Sequence, residues 1–493
     1  MIPEWQIALG ILLAYFAFCL GKGFFCYFRY RPVTLDEYFL AGRGLSWLFL
    51  VLTYVATLQS AFAFLGATGM YYTHGIGFMV LPLSQAWCAL MTLFLGYRLW
   101  LLSRKYRYLT PGDFFDHRYR SRVLRLIVAL TLFIFNMFYF AVQFVGISWA
   151  FVGVTGGHIT YQQALLLTVL ITGIYTIIGG MRAVVLTDVF QALVLLTTLP
   201  GAVIYAVSAL GGIPHIFKLA AEKAPALLCR PGPKGAYTDV GWIYMWLVLP
   251  FGIWCTPALW VRFYTAKDKR GIAACAIGMP LSQIIIFCTS ALFAGIAAAV
   301  LYPGLKRPDY ALMQLLTATM PLWLIAVIMS GCLAAGMSTI DSMLLVSSQM
   351  VVKDIVIEGL RTRISEKAAV RLSMLISAAL IAMAYLIALS PPKLIVEVVI
   401  KLTFVGTAQV APALILGLYW RRVTKWGAIT GLLTGLIVLV SFRIMKVAPL
   451  GIPDFIWAFA LNWLVTILVS YATKVTNENV EEVVEYLRRA TDA

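Results

Sequence analysis

The sequence predicts an all-α polytopic membrane protein, on the strength of its composition, the recurrence of apolar runs long enough to cross a bilayer, and the placement of its positive charge. Of 493 residues, 62% are hydrophobic and 12% charged, with a mean hydropathy of +0.90; a soluble domain is roughly half apolar and a quarter charged. So much apolar surface takes lipid rather than water as its solvent. The runs recur from Ile7 to Thr473 with short breaks, so one transmembrane domain is expected over residues 1–475, followed by a short tail over 476–493. The net charge of +17 does not point to nucleic acid, because Lys and Arg sit in the breaks between runs instead of on one basic face. The lipid bilayer is the expected surrounding, with the chain working as a monomer.

About thirteen transmembrane helices are expected, each an apolar run bounded by polar or turn-forming residues. Span one, 5–28, has no basic segment before it and no small-residue cleavage site, so it reads as a retained helix and not as a signal peptide. Spans two to six cover 45–66, 76–103, 122–153, 160–178 and 183–208. Spans seven to eleven cover 239–263, 271–302, 320–352, 368–390 and 394–419, and the last two cover 425–444 and 452–473. The odd-numbered connections carry the basic residues, among them Arg29, Arg31 and Arg43 in the first, Arg104, Lys105, Arg107 and Arg120 in the third, Arg182 in the fifth, and Arg421 and Arg422 in the eleventh. Positive connections stay in the cytoplasm. The alternation therefore predicts a multi-pass protein of the plasma membrane with its N-terminus outside and its C-terminus in the cytoplasm. The longest external connection, 209–238, holds Pro214, Pro231, Gly232 and Pro233 and reads as a lid, ordered or mobile. Eight cysteines lie mostly inside apolar runs without CxxC spacing, which indicates small core residues and neither a disulfide framework nor a zinc site.

Three segments interrupt the apolar pattern. Polar solutes and ions need backbone or side-chain oxygens at the level of the lipid, and broken helices supply them. Span two offers Ala56-Thr57-Leu58-Gln59-Ser60-Ala61, then Gly66-Ala67-Thr68-Gly69. Span seven offers Pro250-Phe251-Gly252 and Thr256-Pro257, where the missing amide and the ring clash release carbonyls from the ladder. These two lie five spans apart, the separation expected of inverted repeats over 45–208 and 239–419. Span nine carries Ala334-Ala335-Gly336-Met337-Ser338-Thr339-Ile340-Asp341-Ser342. Its hydroxyls either bond back to the preceding turn in a close small-residue helix contact or replace the water around a monovalent cation.

Taken together, these segments resemble the sodium:solute symporter family, which includes sodium-coupled proline, pantothenate, monocarboxylate, iodide, sialic-acid and sugar carriers. The resemblance spans nearly the whole chain. It rests on Asp36 to Arg43, Ala56 to Ala61 with Phe64-Leu65-Gly66, Gly179-Gly180-Met181-Arg182-Ala183 with Thr187-Asp188 and Gln191, Arg262-Phe263 with Ala266-Lys267, and Ala335 to Thr339. It implies a fold of two inverted five-helix repeats like that of a bacterial leucine transporter, with flanking helices, and sodium-coupled import of a small organic solute by alternating access. Na+ would be held by the carbonyls of Ala56, Gln59 and Ala335 and the hydroxyls of Ser338 and Thr339. Asp188 would line the path by which sodium leaves; its alternative is a salt bridge to Arg182 near the membrane surface.

The solute would sit among spans two, four, seven, nine and eleven, where Thr57, Phe62, Asn136, Tyr139, Gln143, Trp254, Thr256 and Gln409 offer apolar walls with a few directed polar groups. Aromatics at these positions have packing or an interfacial belt as their ordinary alternative. Asp341 either enlarges the ion site, accepts a proton or caps a helix break. Lys401 either pairs with Glu397 four residues earlier or turns into the cavity to hold a substrate carboxylate, which leans the expected solute toward a monocarboxylate or pantothenate-like anion. Proton coupling and amino-acid or sugar substrates remain the alternatives. A channel is disfavoured by the absence of a ring-forming filter segment. An enzyme is disfavoured because the four His stand in no HExxH or nucleophile pattern. The tail after the last span is too short for a signalling domain.

Overall fold

The computed structural model describes residues 3–391, 398–475 and 479–492. Among them every named element is helical, and the one β feature is an isolated parallel bridge between Leu45 and Ala266. Ten helices are long and apolar enough to cross a membrane, or eleven when the pair Asp239–Trp254 and Pro257–Thr265, bent by 49°, counts as one. The expected thirteen segments divide the same chain more finely. Spans five and six run together as Tyr161–Ala209, with Gly180 at φ 57, ψ −161 between them. The second half of span two continues into span three, with Gly75 at φ 60, ψ −149 between them. Only glycine adopts such backbone without strain. Span eleven, expected from 394, begins outside the described residues, as does Glu397, the expected partner of Lys401.

Helix Leu322–Gln349, span nine, is the hub. It packs against helices Glu4–Tyr30, Trp47–Leu58, Arg122–Val154, Tyr161–Ala209, Pro257–Thr265 and Glu366–Ala388. Every residue from Gly331 to Gln349 is buried, so the helix shows lipid no face over that stretch and has no apolar stripe to keep. Its polar residues are free to work inside the protein.

The last two spans are peripheral. Helix Lys425–Met445 turns Gly427, Gly431 and Gly435 toward Asn462, Thr466 and Ser470 of helix Asp454–Ala472; a Cβ on Gly431 would lie 1.9 Å from Thr466 Oγ1. Small residues spaced by four let two backbones approach this closely in lipid.

The long connection 209–238 takes the ordered alternative. It forms helix Gly212–Lys223 and lays Leu227 on Gly75, where a Cβ would meet the Leu227 carbonyl oxygen at 2.0 Å. At the opposite, basic face, the tail forms helical turns over Glu481–Glu485 and Tyr486–Asp492. There Tyr106 Oη donates to the Glu482 carbonyl at 3.1 Å, and Lys105 Nζ lies 3.9 Å from the Tyr486 ring centre. At the same face the Leu45 amide donates to Thr265 O (3.1 Å) and the Lys267 amide to Leu45 O (2.9 Å), joining the end of span two to the end of span seven.

Candidate functional site

Span two breaks without proline. Helix Trp47–Leu58 stops because Gln59 turns to φ −81, ψ 130, and the chain resumes helical geometry at Ala61–Phe62. Each end of the gap is held from outside. The Ala61 amide donates to Gln143 Oε1 of span four at 3.1 Å, and Gln59 Nε2 donates to Ser282 Oγ of span eight at 3.0 Å. The carbonyls left without helical partners face span nine. Ser338 Oγ lies within hydrogen-bond distance of Ala56 O (2.8 Å) and Ala335 O (2.9 Å), and Thr339 Oγ1 of Gln59 O (3.1 Å), Ala335 O (3.1 Å) and Thr57 O (3.3 Å), each hydroxyl having one proton to share among them.

The five oxygens expected to act together therefore do converge: Ala56 O, Gln59 O, Ala335 O, Ser338 Oγ and Thr339 Oγ1. All five residues are essentially buried. Each hydroxyl keeps lone pairs after donating, and Gln59 Oε1 is a further buried oxygen with no hydrogen-bond partner among the described residues. A cluster of neutral oxygens suits a hard monovalent cation that has to be released again.

Toward the basic face from this cluster lies a buried ionic knot. Arg262, in the second half of span seven, donates to Asp188 Oδ2 at 3.1 Å, Thr57 Oγ1 at 3.0 Å and Ser342 Oγ at 2.5 Å. Thr53 donates a very short hydrogen bond to the same Asp188 oxygen. The partner of Asp188 is thus Arg262 and not Arg182, which stands over the Tyr30 ring at 4.5 Å. The knot ties spans two, six, seven and nine immediately beside the oxygen cluster. Arg262, Thr53 and Ser342 were not expected as site residues. A lone Arg in the apolar run Leu259-Trp260-Val261-Arg262-Phe263 was the available signal, since a buried charge in lipid requires a partner.

Asp341 belongs to a different neighbourhood. Its two carboxylate oxygens accept from Tyr175 Oη and Thr176 Oγ1, both at 2.5 Å, on the helix end that precedes Gly180. It is fully buried.

The expected solute residues divide. Gln143 of span four reaches the break in span two and also donates to the Tyr139 carbonyl one turn earlier at 3.3 Å, while the Tyr139 ring meets Phe404 at 5.7 Å. Phe62 joins them from span two, in contact with Phe287 and Phe78. Thr256 stands at the break of span seven with its hydroxyl on Gly252 O at 3.3 Å. The same carbonyl accepts from Thr407 at 2.7 Å, and a Cβ on Gly252 would lie 1.8 Å from Phe404 O, so spans seven and eleven touch backbone to backbone here.

Five others are engaged elsewhere in this structure. The Thr57 side chain belongs to the Arg262 knot, bonded also to Ser342 Oγ at 2.9 Å. Asn136 braces span four on span nine through Ser347 Oγ at 2.8 Å, a turn and more beyond the hydroxyl pair. Trp254 donates to Thr92 at 3.1 Å and stacks on Phe263. Gln409 is held by Asn462 of the last span, to its carbonyl at 2.7 Å and its side-chain oxygen at 3.1 Å. Lys401 is exposed near the start of span eleven, where its carbonyl takes a hydrogen bond from Arg443. In spans buried on nearly all sides, sequence gives no sign of which face is central, so polar residues on the wrong face look equally eligible.

The pattern of the sodium:solute symporter family matches residues 38–435. The chain is 31% identical over 440 residues to the sodium/pantothenate symporter of Haemophilus influenzae, covering 87% of this chain and 89% of that one. It is 29% identical to the osmoregulated proline transporter of Bacillus subtilis, covering 96% of both. Among solved structures, a substrate-bound, outward-open Na+-coupled sialic acid symporter superposes with a TM-score of 0.80 over 96% of this chain and 99% of that one, at 20% identity. That likeness establishes the shared architecture, a fold of the leucine-transporter type.

Proposed function

The chain belongs to the sodium:solute symporter family, and from that premise we propose that it imports a small organic carboxylate together with Na+ held by Ala56, Gln59, Ala335, Ser338 and Thr339. The observation that carries this reading is the meeting of span-two carbonyls released from their helical ladder with the two hydroxyls of span nine, 2.8–3.1 Å apart. A cation there replaces hydroxyl-to-carbonyl hydrogen bonds with shared coordination and fastens span two to span nine.

Solute then sits beside the same break, against Phe62, Tyr139 and Gln143. A carboxylate is supported by the half-helix that starts at Ala61, whose positive dipole end opens toward these residues, and by the pantothenate carriers among the relatives. With Lys401 elsewhere, no buried cation of span eleven supports it. Amino acids, as in the proline carriers, and sugars are the alternative substrates.

In this mechanism residues 45–208 and 239–419 act as inverted repeats, with the N-terminus outside and the C-terminus in the cytoplasm. The basic connections support that orientation, and a monomer suffices. Sodium and solute together favour closure because each binds one state better than the other. A potential of 100 mV adds about 2.3 kcal/mol per charge moved inward. Sodium leaves toward the cytoplasm past Thr57, Ser342 and Asp188, where Arg262 occupies the carboxylate and bars a second cation until the knot loosens.

A proton-coupled cycle is the second reading, favoured by Asp341, a fully buried carboxyl whose two hydrogen bonds come from hydroxyl groups. Uptake of radiolabelled pantothenate and proline into proteoliposomes under an imposed sodium gradient, and separately under a pH gradient alone, decides between them. The sodium reading expects uptake only in the first case. Ser338→Ala with Thr339→Ala removes two ligands of a charged group, raising half-saturating sodium by about 100-fold or more. Unchanged sodium dependence in that double variant places the ion elsewhere.

A further inference from the structure

A cavity at the basic face takes no part in the path above. It is an open cleft of about 970 Å3 between the first turns of spans four and twelve and the chain leaving span nine. Its walls carry Arg107, Arg120, Arg122, Lys353, Arg361 and Lys425. Some of this charge is already used. A further lining residue, Arg125, is enclosed by Asp113, Asp116 and Asp354; Lys353 holds Glu358 at 2.7 Å, and Arg120 holds Asn479 Oδ1 at 2.7 Å. Arg107, Arg122 and Arg361 are exposed and have no ion-pair partner among the described residues.

Two of these cations stand where helix electrostatics oppose them. Arg122 and Lys425 are the first residues of helices Arg122–Val154 and Lys425–Met445, and a cation at a helix N-terminus repels the positive end of the dipole. An anion seated there relieves the repulsion at Arg122, which has no ion-pair partner among the described residues. The remaining wall is apolar: Val123 is 58% exposed and Trp426 54%, with Ile429 behind them. Basic groups on one side and an aromatic and aliphatic wall on the other describe the boundary between headgroups and acyl chains.

We propose that this cavity seats the phosphate of an anionic glycerophospholipid, with its acyl chains running along Val123, Trp426 and Ile429. Naming the leaflet as cytoplasmic rests on the orientation proposed above; the binding itself does not. A bound headgroup joins span four, span twelve and the end of span nine on the side from which sodium would leave.

The test is retention of phosphatidylglycerol against phosphatidylcholine of matched chains by the purified full-length protein in neutral detergent, read by native mass spectrometry without sodium or solute. Preferential retention of phosphatidylglycerol is expected. Arg122→Gln with Arg361→Gln weakens it by about 30-fold, at about a fivefold loss per basic group, while phosphatidylcholine is unaffected and the unfolding temperature stays that of the parent. Val123→Glu, which leaves every cation in place but charges the acyl wall, also weakens retention. Equal retention of the two lipids, or a double variant that keeps its phosphatidylglycerol, overturns the proposal. Displacement by millimolar inorganic phosphate, together with an inert Val123→Glu, overturns it in favour of a soluble-anion site. Because no transport is read, a negative result leaves the symport assignment standing, and failed symport leaves this site standing.

Discussion

Span two and span seven both lose their helical ladder near the middle, but the breaks have different origins. In span seven the chain itself forces the break. Pro257 opens the second half-helix, and Thr256 before it sits at φ −58, ψ 122, the extended geometry a following proline imposes. Span two has no such residue between Leu58 and Ala61. Its gap is kept open by Gln143, Ser282, Ser338 and Thr339, each from another helix. A locally coded break is permanent. One held by side chains of its neighbours responds to whatever competes for them, and this is where the ion is proposed to bind.

Removing the group that links the inner halves of both spans has the largest expected effect. Arg262→Met strands the Asp188 carboxylate in a buried site and costs about 3–5 kcal/mol, seen as a large fall in unfolding temperature. Adding Asp188→Asn recovers at least half of it. A stable Arg262→Met protein would mean that the knot does not hold the two spans together. Next, Gln143→Leu leaves the Ala61 amide buried without an acceptor, at about 1–3 kcal/mol, and weakens the response of uptake to sodium, because the gap in span two closes or shifts. The smallest effect belongs to Pro257→Ala, which alters stability by less than about 1 kcal/mol and keeps half-saturating sodium within about twofold, while slowing maximal uptake. If Pro257→Ala moved sodium dependence as far as Gln143→Leu, the distinction between the two breaks would dissolve.

The same contrast explains what could be read from the sequence. Proline and apolar length announce themselves locally, so the helical fold and the break in span seven are plain from residues alone. The oxygen cluster is not. Nothing in Ala-Thr-Leu-Gln-Ser-Ala requires an interruption, and those five oxygens came from a family likeness; the structure places them side by side. Face selection failed where helices are enclosed. Asn136 and Gln143 lie seven residues apart on span four, two turns on the same face, yet one braces span nine and the other reaches the break. Height along the helix, which sequence does not fix, separates them. Arg262 was passed over because it lies just before a connection rich in Lys and Arg, although it is buried to 1% exposure.

The short pairing of Leu45 with Thr265 and Lys267 has a mechanical consequence. It clasps the shafts of the two interrupted spans at their feet, so displacing one against the other breaks both hydrogen bonds, at about 1 kcal/mol each. The two interrupted spans are therefore yoked at their feet, although one arm bends at a proline and the other at a gap its neighbours hold open.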